Sequence, residues 1–429
     1  MTAAPALDFD KAPQPGVVFG CLLPAPWLGM IAGLTLAFGP TAGLPERFAP
    51  ISLCLVHLLA VGMLLPVMLG ALFQLFPVLA GVPVPWVRWV APWIAPLCTL
   101  SATALGWGFL GGDPRGFAVA ALAGALPLGL VALLLGVVGQ RIVVMNLTTR
   151  VLRHIALALL LTLALGAGLA GMLAGWWQLP LWTVLDLHVG WGLGGWLAVL
   201  LGGVAATVLP MFWQTPRWPT RLDGALPWLI WLPLLAGLPA LFGLALPWQT
   251  VGALLLALLA TLGLLAVVRA GRRHDPAWPL WLVSLTSWFL AALLAFAAPW
   301  LPSGWPLGWW LGTLTLVGGG VLPVNAMLGK IIPFLVWLHL RKRLPARTRV
   351  PAMQTLLSPV WQRTQAALVL LSWLLLLVLP LAPAPFALAA GLVFALSQAW
   401  LGGMLLSVLG RFRALQQQAP AVAASAPKA

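Results

Sequence analysis

Hydrophobic residues run in stretches of about twenty or more from one end of the chain to the other, broken by short polar joints. These runs predict twelve helices long enough to cross a bilayer. They lie near residues 17–39, 50–83, 87–111, 116–140, 153–176, 179–213, 224–245, 247–269, 277–300, 305–340, 362–382 and 385–410. The runs are continuous and do not alternate, which excludes a β-barrel. Residues 1–16 form a short tail ahead of one transmembrane domain, 17–410. The Ala/Pro-rich residues 414–429 read as a disordered tail.

Three of the runs share a pattern. Span 2 ends GALFQLFPVLAG, span 6 ends GGVAATVLPMFWQTP and span 10 ends NAMLGKIIPFLVWLHL. Aligned on Pro77, Pro210 and Pro333, each has a polar residue three places earlier: Gln74, Thr207 and Lys330. Gly70 and Gly203 lie seven places before their prolines, where span 10 has Ala326. The motif recurs every fourth helix, so the chain parses as three pseudo-repeated four-helix units. Gln74, Thr207 and Lys330 then form an inner polar ring. Proline within a span frees backbone groups one turn back, and a polar neighbour can satisfy them; that account suffices for Gln74 and Thr207. Lys330 requires water, a partner or a long reach to the surface, because an ammonium inside a span is costly.

Composition agrees with the class: 62% of residues are hydrophobic and 7% charged, with 26 Trp and no Tyr. The formal net charge of +15 is distributed unevenly. Arg141, Arg150 and Arg153 follow span 4, and Arg217 and Arg221 follow span 6. Arg269, Arg272 and Arg273 follow span 8, and Arg341, Lys342, Arg343, Arg347 and Arg349 follow span 10. Arg411, Arg413 and Lys428 follow span 12. The opposite side offers Arg47 and Arg115, balanced by Glu46, Asp113 and Asp186. The positive-inside rule puts both termini in the cytoplasm, in a bacterial inner membrane, with span 1 retained as a signal anchor. The basic residues sit in short loops, so anionic lipid is the expected partner and nucleic acid is not. No protein partner can be named from the residues. Cys21, Cys54 and Cys98 fall inside spans without C-x-x-C spacing and read as buried free thiols.

His57 and His188 lie twenty and twenty-two residues before Pro77 and Pro210. Both fall near the outer ends of repeat-related helices, at one level. Span 10 has only Leu311 to Thr313 there. Neutral imidazole is the commonest metal ligand, and bundle hemes are held by histidines on facing helices. The pair is therefore a candidate cofactor and metal site, for heme or for copper, with Asp186 as a candidate partner of His188. Packed, hydrogen-bonded histidines are the alternative. About 25 Å of helix separates His57 from Gln74, so the two polar layers are distinct. His154 and His274 sit among arginines and suit surface roles; His339 reads as interfacial.

Twelve spans, three four-helix units and a histidine near the outer end of span 2 resemble the catalytic subunit of heme-copper oxidases. The segments HLLAVGMLLPVMLGALFQLFPVLAG, HVGWGLGGWLAVLLGGVAATVLPMF and GKIIPFLVWLHL look more like divergent, uncharacterised bacterial relatives near the NnrS group, linked to nitric oxide response. The resemblance implies that His57 matches the span-2 ligand of the low-spin heme, and that His188 lies in the helix carrying one copper ligand. The oxidases also need a histidine pair in span 7 and two histidines in span 10. Residues 222–245 and WWLGTLTLVGGG contain none. Terminal oxidase activity is accordingly not expected, whereas a heme or metal site at His57 and His188 is. Two other readings stay open: a transporter of a small ion or solute, with Lys330 on its path, and a non-catalytic membrane subunit of a larger complex. Seven carboxylates, scattered among loops and span ends, offer no paired acids for hydrolytic chemistry.

Overall fold

A computed structural model describes residues 9–219, 225–244, 246–343 and 351–424. Among these residues every regular element is helical. Eleven helices are long and apolar enough to cross a membrane, consistent with a multi-pass membrane protein. We number the helices α1 (Pro15–Phe38), α2 (Pro50–Ala80), α3 (Val87–Gly111), α4 (Pro114–Gly139), α5 (Leu147–Leu173) and α6 (Leu181–Trp213). A shorter α7 (Trp228–Phe242) follows, then α8 (Trp248–Val268), α9 (Trp278–Trp300), α10 (Leu307–Lys342), α11 (Pro359–Leu381) and α12 (Pro383–Gln417).

The twelve expected spans are thus present as helices, but the seventh falls short of a full crossing. Its sequence explains this. Pro233 interrupts the helix, the last turn from Leu238 is a 3-10 turn opened by Pro239, and Gly243 stops it with φ +84°. The last helix runs on to Ala424, into the stretch read from sequence as a disordered tail. Arg221, Arg347, Arg349 and Lys428, used above for orientation, lie outside the described residues.

Consecutive helices pack side by side, and α1 closes the ring by packing along α12. That contact depends on two glycines. A Cβ on Gly33 would lie 2.6 Å from the Ala395 nitrogen, and one on Gly391 would lie 2.5 Å from the Gly33 oxygen. Small residues let backbones approach where no hydrophobic force separates lipid from protein contact.

α2, α6 and α10 carry the repeat into three dimensions. Each contains a π segment: Leu58–Leu64, Gly190–Ala198 and Thr313–Val321. The three segments begin nineteen or twenty residues before the aligned prolines Pro77, Pro210 and Pro333. A fourth π segment, Ala120–Ala125, lies in α4. The π segments of α2 and α6 both pack on that of α10, and Gly320 is where all three meet. A Cβ there would lie 2.9 Å from Leu64 Cδ1 and 3.3 Å from Leu197 Cδ2. The repeated glycines also acquire a reason. Gly70 receives Cys21 of α1, and Gly203 receives Val151 of α5. In both units the glycine admits the preceding helix.

Candidate functional site

His57 and His188 are each the eighth residue of their helix, just ahead of a π segment. A π segment inserts one residue, rotates the rest of the helix about its axis, and is frequent at functional sites. The His57 Nδ1 lies 2.7 Å from the Leu53 carbonyl oxygen, one turn back on α2. Its ring stacks on Phe109 of α3, with centroids 5.3 Å apart and planes 30° from parallel. Phe109 in turn meets Phe117 of α4 edge-on. The His188 Nδ1 lies 3.1 Å from the Thr162 carbonyl oxygen of α5. Gly166 gives this ring room, since a Cβ there would lie 2.9 Å from His188 Cε1.

Both imidazoles thus have the same polarity. A carbonyl oxygen can only accept, so each Nδ1 carries the proton and donates, which leaves each Nε2 with a free lone pair. This is the tautomer of a histidine ligand whose other nitrogen is anchored. The structure sets the two predicted residues on repeat-related helices, His57 against Phe109 of α3 and His188 against Thr162 of α5.

Trp191, one turn beyond His188, is fully buried, and its indole N–H has no partner. A buried donor left unpaired costs roughly 1–3 kcal/mol. Among the described residues no three His, Cys, Asp or Glu side chains converge. The chemistry on offer is two neutral imidazoles, each with one nitrogen anchored to a carbonyl.

Other expectations change. Asp186 does not orient His188: its carboxylate accepts from the Gln249 side chain at 3.2 Å, and Thr162 takes the imidazole. Residues two apart on a helix point to different sides, so Asp186 faces α8 while His188 faces α5. His339 is buried in the protein, with its Nδ1 2.7 Å from the Leu335 oxygen. His154 lies against Trp228 and Trp231, and His274 is exposed. The three cysteines are buried and free.

The inner polar residues each take separate surroundings. Thr207 shares a 2.7 Å hydrogen bond with Thr148 of α5, which also donates to the Gly203 carbonyl at 2.6 Å. Gln74 keeps a buried Oε1 without a partner. Lys330 pairs with Asp275, in the loop between α8 and α9, and lies 6.0 Å from the Trp213 ring centroid. No hydrogen bond or ion pair joins Gln74, Thr207 and Lys330 to one another among the described residues. Sequence reading missed Asp275, although its scarcity as a carboxylate at the arginine-rich end was a usable signal. Phe109, Thr162 and Gly166 carried none, because they sit outside the repeat. No family model matches this chain, and no curated protein matches it.

Proposed function

We propose that this chain is a heme-binding, polytopic protein of a bacterial inner membrane, with His57 and His188 holding the iron. The observation that carries this reading is the matched polarity of the two imidazoles. Each donates Nδ1–H to a backbone carbonyl and keeps Nε2 available. Copper is the second candidate for the same nitrogens, since imidazole also suits that metal. Phe109 supports one ring by stacking, and Gly166 leaves space for the other. Heme held there by His57 and His188 would supply a redox-active iron. The protein's part is to fix the imidazole orientation and keep both nitrogens neutral in an apolar shell. A sensing, transfer or protective role follows more naturally than oxygen reduction, because the sequence offers no histidine set for a second metal beside this pair. The family resemblance and the positive-inside arrangement support the same reading and put both termini in the cytoplasm.

The test is the absorption spectrum of the purified full chain, expressed with ample heme, beside His57→Ala, His188→Ala and the remote control His154→Ala. A Soret band in the parent and control, lost in both site variants, is the expected result. Absence of heme, iron and copper from well-folded parent protein overturns the proposal, and so does pigment that survives both substitutions.

A further inference from the structure

A second region, remote from the histidines, has the layered chemistry of a phospholipid. A cavity of about 70 Å³ lies between α6, α7, α8, α9 and α10, walled almost wholly by apolar side chains. It runs from Trp218 and Trp281, at the arginine-rich end of the bundle, to Ala198 and Gly319 at mid-depth. Leu201, Gly202, Leu256 and Leu259 on its wall retain partial exposure, so the cavity opens sideways between the helices. A Cβ on Gly202 would meet nothing within 4 Å. Short α7, which contributes Ile230 to the wall, covers it incompletely.

The rim at the basic end is cationic. Trp218 of the wall follows Arg217, and Gly263 of the wall lies under two turns before Arg269. Arg272 is drawn to the same place because its backbone N–H donates to the Trp213 carbonyl at 3.1 Å, and that of Gly271 donates to the Gln214 carbonyl at 3.2 Å. All three arginines are exposed. The carboxylate of this loop, Asp275, is engaged by Lys330. Between rim and cavity stands Trp281, 3% exposed, on the cavity wall, with an unpartnered indole N–H.

From these layers we infer that the crevice between α6 and α8 is a binding site for one anionic phospholipid of the leaflet at the basic end. Its phosphate meets Arg217, Arg269 and Arg272, an ester carbonyl accepts from Trp281, and an acyl chain fills the crevice past Gly202. A guanidinium rim alone would attract any anion, and an apolar crevice alone would accept any chain. Their stacking, with a lone donor at ester depth, selects a molecule that carries both.

The full chain in mild detergent can be examined by native mass spectrometry with phosphatidylglycerol, phosphatidylcholine of the same chains, or glycerol phosphate added. One phosphatidylglycerol should be retained in preference to phosphatidylcholine. The Arg217→Ala/Arg272→Ala double variant should reduce its retention by roughly tenfold or more, given the strength of basic side chains near anionic lipid. Gly202→Leu should lower retention as well, since Gly202 lines the crevice and an added Cβ there meets nothing within 4 Å. Arg141→Ala, at the same end but beyond α4, should leave retention unchanged. Equal loss with Arg141→Ala, undiminished binding by Gly202→Leu, or full competition by glycerol phosphate would each overturn the assignment.

Discussion

Asp275 holds the ammonium of Lys330 from a loop two helices away in sequence, while its other carboxylate oxygen caps the Ala277 N–H at 3.0 Å. One carboxylate thereby fixes the start of α9 and neutralises the cation of α10. Side-chain exposures of 13% and 16% mean that neither charge is free to hydrate if the other is removed. This pairing answers why an ammonium is tolerated in a predicted span.

Lys330→Met and Asp275→Asn should therefore each lower the thermal stability of the detergent-solubilised protein, by about 1–3 kcal/mol for the partner left unpaired. The double variant should recover part of the loss, because no charge is then stranded. Purely additive losses across the double-mutant cycle would show that the pair is not coupled.

Gly166→Val should disturb the histidine site without touching either histidine. The new side chain would occupy the position of the His188 ring, forcing it off the Thr162 carbonyl. On the proposed heme reading, retention of the pigment should fall several-fold, whereas Gly129→Val, at a position where an added Cβ meets nothing within 4 Å, should retain the parent spectrum.

Ring closure between α1 and α12 offers a packing test. Gly33→Val or Gly391→Val drives a methyl group into facing backbone and should destabilise by at least about 1–3 kcal/mol, the usual penalty for overpacking. Gly403→Val, on the same α12 but facing open space, should melt with the parent protein. Tryptophan fluorescence during heating reads both.

Thr148→Val removes the hydroxyl that bridges Thr207 and the Gly203 carbonyl. A hydrogen bond between membrane helices is worth about 0.6 kcal/mol on average and up to about 1.7. Loss in that range is expected, and adding Thr207→Val should cost little more because its partner is already gone. A second full-sized loss would mean that Thr207 has another role.

Much of the architecture could be read from the chain because hydrophobic length is a local property. Eleven predicted spans became helices of crossing length, and the aligned prolines marked the helices that meet at Gly320. The shared π segments were not legible: a π turn depends on which side chains crowd the helix, and neighbours in the bundle decide that. Likewise the place of His57 and His188 near the start of repeat-related helices followed from counting residues, while the carbonyls that hold them did not.

The sequence by itself determined how many long apolar helices there are and, to within several residues, where each begins, since hydrophobic length is a local property. Only the tertiary structure decided which way each polar residue points and what it touches. Thr162 over Asp186 for His188, and Asp275 for Lys330, are choices of helix rotation. Rotation is set by how glycines and large side chains of different helices fit together, and no single segment contains that information.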